Sequence, residues 1–130
     1  MPADAYDGGM ADPVLSMPEL GEGDPLGHLR QNDFNMVLAR LGVDPRITNN
    51  TLTAPPVSIG RSQAWILSGA GSGQWAGKAA GTIAIALSTA PTSAAGWYFY
   101  VPWTGMEVYL LAGSPTGWVQ WNGSAWVARP

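Results

Sequence analysis

Few side chains in this sequence are placed for chemistry, and each group meets a physical test. Gly71-Ser-Gly-Gln-Trp-Ala-Gly-Lys78 comes nearest to a phosphate-cradling loop. Such a loop needs glycine, four residues, then Gly-Lys-Ser/Thr, because backbone N–H groups wrap the phosphates and the hydroxyl binds magnesium. Here the first position is Ser72, and Ala79 follows Lys78. The run therefore reads as a β-turn loop. His28 is the only histidine and there is no cysteine; one imidazole cannot build a zinc site within one chain. Three copies about a threefold axis would bring three such rings together, but a solvent-facing or interface histidine is the plainer reading. Glycoside cleavage takes two carboxyl groups held about 5–9.5 Å apart, and after residue 46 the only acid is Glu107. No Gly-x-Ser-x-Gly elbow occurs with a histidine and an acid to serve it. The expectation is a protein that is not an enzyme and takes no cofactor or metal.

Seven tryptophans remain: Trp65, Trp75, Trp97, Trp103, Trp118, Trp121 and Trp126. Each buries a large area and still offers an edge N–H for a hydrogen bond, so core packing is the default. The alternative is an exposed aromatic platform for a sugar or a protein partner. Trp75, in a glycine-rich loop, and Trp103, between Pro102 and Gly105, are the candidates for glycan or partner contact, because loops carry binding.

The elements that must position these residues follow from breakers and periodicity. Residues 1–27 read as an extended acidic arm, with Pro2, Pro13, Pro18 and Pro25 excluding a helix. Val14, Leu15, Met17, Leu20 and Leu26 sit between the breakers. An unanchored terminus and a segment that lies in grooves of a neighbour both remain open; the recurring apolar anchors favour docking. Residues 28–46 hold a helix and linker. Phe34, Val37, Leu38 and Leu41 recur at helical spacing over 28–42, with Gly42 as the cap and Pro45 blocking continuation. One apolar stripe cannot be buried alone, so it packs on the β domain or meets its own copies about an axis.

Residues 47–130 read as β, after a polar link over 47–56. Strands are expected at Ala64–Ser68, Thr82–Leu87, Trp97–Val101, Glu107–Leu111, Gly117–Trp121 and Ser124–Ala128. Asn122-Gly123 fits a two-residue type I′ turn, which would pair Trp121 with Ser124 and Val119 with Trp126. The fold class expected is mainly β: an arm, one short helix, then a small antiparallel β-sandwich or open barrel.

Composition bounds the surface. Among 130 residues only 12% are charged, against about 25% in ordinary domains. A chain this small normally coats itself with charge, so much of the surface is expected to be covered by other copies or other proteins. The net charge of −3 is uneven: seven of nine acids lie in residues 1–33, and five of six bases lie beyond them. Five scattered bases make no nucleic-acid stripe. The most apolar stretch, Thr82–Leu87, is too short for membrane insertion. The N-terminus lacks the basic start and apolar run of a signal peptide, so synthesis in the cytoplasm is expected.

Taken in order, the segments Asn32–Leu41, Leu52-Thr-Ala-Pro-Pro56, Gly73-Gln-Trp-Ala-Gly77, Gly96-Trp97 with Pro102, and Trp121-Asn-Gly-Ser-Ala-Trp126 resemble a domain family of unknown function found in prophage tail-fibre-like proteins and gene transfer agents. The resemblance covers roughly residues 28–128. Asp33 stands where that family usually has glutamate, and Gly60–Trp65 departs from its usual strand entry. The family carries no established catalytic residues. It implies a virion part, trimeric, near a tail tip or fibre and assembled in the host cytoplasm. Val14, Leu15, Met17, Leu20 and Leu26 would dock it to tail or baseplate proteins, and Phe34, Val37, Leu38 and Leu41 would join the copies of a homotrimer. A carbohydrate-binding adhesin acting on host surface glycan through loop tryptophans is the second reading. A capsid decoration or head-spike protein is the third.

Overall fold

The computed structural model describes residues 27–130. The five arm residues named for docking lie outside them, as does the rest of the arm before Gly27. The chain forms two compact units divided between Leu38 and Ala39.

The helix α1 spans Gly27–Leu38 and passes into a single π-helical turn, Ala39–Val43, in place of an α-helix running to Gly42. The wide turn is closed by the Asp44 N–H donating to the Ala39 carbonyl at 2.7 Å. Its cause is visible in the neighbouring residues. Pro45 disfavours helical backbone at Asp44, and the Arg40 guanidinium donates to the carbonyls of Asp44 at 2.9 Å and Ser62 at 2.9 Å. The expected stripe is uneven. Val37 is buried, Phe34 and Leu41 are half-buried, and Leu38 is 43% exposed.

The second unit is a sandwich-like pair of sheets. One holds β1 (Arg46–Ile47), β5 (Glu107–Leu110), β6 (Gly117–Trp121) and β7 (Trp126–Ala128) in that order. The other holds β2 (Ala64–Ile66), β3 (Ile83–Ala86) and β4 (Trp97–Tyr100). The six strands expected from β-favouring residues and turn residues are present as β2 to β7, all but Gly117–Trp121 shortened at an end. The edge strands β4 and β7 are not paired with each other, so the barrel is not closed.

One expectation is corrected. The sheets are not purely antiparallel, because β1 runs parallel to β5, pairing Arg46 with Tyr109 and Ile47 with Leu110. The residues after it turn to the other sheet: Thr48 N–H donates to Ala64 at 2.8 Å, Ile66 N–H donates to Asn49 at 3.0 Å, and Leu52 bridges Leu67 in parallel. The stretch that reads as a polar link is thus the seam joining both sheets. The boundary drawn between residues 46 and 47 falls inside β1.

Register explains the core. Trp65 stands opposite Ala84, which stands opposite Phe99; Ala86 stands opposite Trp97. Two alanines between two indoles leave room for large rings from neighbouring strands. Trp75 fills the remaining space, and the rings of Trp65, Trp75 and Trp97 meet at 5.2–6.3 Å. Leu52, Ile59 and Phe99 pack against this cluster. The other face of the same sheet carries Ala64, Ile66, Ile83 and Ile85, all buried. Both faces are covered, so β2 and β3 read as apolar runs rather than alternations.

Candidate functional site

The closing hairpin sets the geometry of the site. Its register differs from the two-residue turn expected: Trp121 pairs with Trp126 and Val119 with Ala128. The loop is therefore Asn122–Ala125. The Asn122 side-chain carbonyl accepts from the N–H groups of Ser124 and Ala125, both at 2.9 Å, and the Asn122 N–H donates to the Ala125 carbonyl at 3.0 Å. An Asn side chain mimicking a backbone turn outcompetes the tighter I′ loop. The change moves partners by two positions, so side chains keep their faces. Val119, Trp121 and Trp126 still share one face, and Trp118, Gln120 and Val127 the other.

Trp121 and Trp126 bind this hairpin to the start of β3. Trp126 Nε1–H donates to the Gly81 carbonyl at 2.9 Å. The benzo edge of Trp121 lies so close to Gly81 that a Cβ there would come within 2.5 Å of its ring carbons. Gly81 also has φ +88°, a region L side chains rarely adopt. Between these parts lies a cleft of about 200 Å³, lined by Trp121, Trp126, Ser68, Ser124 and Asn50 among others. No charged residue lines it.

Of the two loop tryptophans singled out by sequence, Trp75 is wholly buried. Its ring packs against Trp65 and Trp97, so it is not an exposed platform for a glycan. The short 3-10 turn Gly73–Trp75 folds the glycine-rich loop inward, and Gly71 N–H donates to the Lys78 carbonyl at 2.8 Å. Gln74 locks that turn. It accepts from Trp97 Nε1–H at 2.7 Å and donates to the Pro91 carbonyl at 2.9 Å. Trp103 is 58% exposed. Its turn adjoins the hairpin tip: Gly105 N–H donates to the Trp121 carbonyl at 2.7 Å, and a Cβ on Gly123 would lie 3.2 Å from Thr104 Oγ1.

The outer face of the four-stranded sheet carries Tyr109 edge-on to Trp118 at 5.5 Å, with the Arg129 guanidinium 5.0 Å from the Trp118 ring and 3.6 Å from Glu107. Trp118 is 40% exposed there, so of the three hairpin tryptophans Trp121 and Trp126 are the ones on the inner face, with the buried Val119. Beside it, Asp44 takes a two-pronged pair of bonds from Arg46, both 2.7 Å. That hydrogen bonding, with the charges of Arg46 and Arg40, holds the Asp44 carboxyl below the usual range. Among the described residues, no three His, Cys, Asp or Glu side chains come together in a metal-sized group. No described helix is long and apolar enough to cross a membrane.

Sequence reasoning missed the Trp121 cleft because its walls come from β2, the start of β3 and the hairpin, far apart in the chain. No local signal marks Gly81 as the seat of an indole. No curated protein and no solved structure matches the chain. A family model described as a protein of unknown function, DUF2793, matches residues 35–127, well over half of the chain, and the chain belongs to that family.

Proposed function

We propose that this chain is a non-enzymatic structural component of a phage-like particle, a tail-fibre or baseplate-associated part that supports host adsorption. The observation that carries this reading is the surface. Val57, Val43, Val101, Trp103 and Leu111 are each at least half exposed, on a chain with few charges to keep such groups soluble. So low a share of charged residues beside these apolar groups suits a surface that other copies or other proteins cover. The resemblance of the ordered segments to prophage tail-fibre-like proteins supplies the particle, and a homotrimer docked through residues 1–27 to tail or baseplate proteins fits it. The chain would reside in the virion after assembly in the host cytoplasm.

Native mass measurement on the purified chain, together with its location in an electron-microscopy map of the particle, tests the proposal. Multimers and density at the tail are expected. A monomer without affinity for any particle protein would overturn it, and density on the capsid would make the chain a head decoration or spike instead. The second reading, a carbohydrate-binding adhesin, is favoured by the exposure of Trp103. Loss of cell binding in Trp103→Ala with assembly intact would select it.

A further inference from the structure

We infer that the cleft between Gly81 and the closing hairpin is a binding site for a single neutral sugar ring, with Trp121 as its aromatic wall. The lining defines the ligand chemistry. Trp121 is half-buried and stands 5.5 Å from the buried Trp126 with their planes tilted by 57°, so Trp121 is the indole with surface to offer. Ser68 and Ser124 bring hydroxyl groups, and Ile66, Leu67, Ala80 and Ala125 supply apolar lining; the Asn50 amide at the rim is engaged by Ser114, donating to its carbonyl at 2.9 Å and accepting from its N–H at 3.3 Å. Apolar walls with a few convergent polar groups are the general form of a small-molecule site. With no charged side chain in the lining, nothing compensates the desolvation of a phosphate or carboxylate, so anionic ligands are disfavoured. A pyranose has the matching chemistry. Its C–H face lies against an indole and its hydroxyls hydrogen-bond at the rim.

Size and backbone exclude the main competitor. A cleft of about 200 Å³ suits one ring rather than a peptide segment. A peptide adding as a strand needs an unpaired row of main-chain groups. In the cleft wall, β6 lies between β5 and β7, and β2 is bonded to β3 on one side and to Thr48 and Asn49 on the other.

The hairpin is also pre-organised. Asn122 ties the loop from within, and Trp126 is anchored on Gly81, so little ordering cost falls on binding. The site shares its ligand class with the carbohydrate-binding reading but not its residue, Trp103, and it does not depend on where the chain sits in a particle.

The test is amide-resolved NMR titration of the full chain with glucose, galactose, N-acetylglucosamine and rhamnose, with N-acetylneuraminic acid as the charged comparison. Binding of at least one neutral sugar in the millimolar range is expected, with saturable shifts confined to Ala80, Gly81, Trp121, Ser124 and Trp126. Ala125→Trp, at an exposed position in the wall, should weaken binding at least tenfold without lowering the melting temperature. Trp121→Phe should weaken it less, and Trp103→Ala should leave it unchanged. Three results would overturn the site: no shifts there with any neutral sugar, equal binding by the charged sugar, or binding that survives Ala125→Trp. Binding lost in Trp103→Ala alone would move the sugar to the loop and refute the cleft while leaving the adhesin reading intact.

Discussion

Arg40 gathers main-chain carbonyls from three places: Asp44, Arg46 and Ser62. Its side chain is only 18% exposed, so these charge-assisted bonds are partly shielded from water. They fix the point where the helical turn gives way to β1, and Ser62 beyond it holds φ +72°. Arg40→Ala should cost about 2–3 kcal/mol, because several carbonyls lose a charged donor at once. Arg40→Lys should recover only part of that, since a single ammonium cannot span the same fork. Urea unfolding of the three proteins checks the ranking; equal midpoints would refute it. In sequence, Arg40 looks like an ordinary polar residue on a helix face. Its partner Ser62 is distant in the chain, and no periodicity carries that information.

At the scale of elements, the hairpin and β3 are joined through a glycine. Gly81→Ala combines a backbone penalty of about 1–2 kcal/mol at positive φ with a clash against the Trp121 ring. The expected result is a loss of roughly 2–4 kcal/mol, with a change in tryptophan fluorescence as Trp121 is displaced. A fully stable Gly81→Ala protein with unchanged fluorescence would show that the hairpin does not rest there. The hairpin itself was legible as strand, turn and strand, because β-favouring tryptophans and valines flank Asn-Gly, which breaks the run. Its register was not legible. Choosing between a two-residue and a four-residue loop depends on whether the Asn122 side chain bonds back to Ser124 and Ala125, and both loops suit the same residues. The parallel strand Arg46–Ile47 was hidden for a different reason. Two residues followed by a polar run, Thr48 to Thr51, look like a link until hydrogen bonds to both sheets satisfy them.

For the whole molecule, the exposed valines separate stability from assembly. Val57 is entirely exposed and Val101 is 75% exposed. The double variant Val57→Asp, Val101→Asp should change folding stability by no more than about 0.5 kcal/mol per site. On the proposed reading it should weaken association with particle proteins, because buried charge at an interface is costly. Unfolding and co-sedimentation with particles measure the two effects; unaltered association would place the covered surface elsewhere.

Composition and pattern by themselves determined that the chain is mainly β, begins its described part with one short helix, spends little charge on its surface and ends in a tryptophan hairpin. These are properties of local spacing, and local spacing survives in one dimension. Tertiary structure decided which tryptophans are core and which are free. Trp75 sits in a loop of glycines, the usual place for an exposed ring, yet it is buried because Ala84 and Ala86 leave a space that only a third indole fills. Trp121 looks like a simple closing residue, yet Gly81 and Ser68 place it in the wall of a cleft. Burial depends on what arrives from elsewhere in the chain, and the volume left between strands is fixed only when the sheets come together.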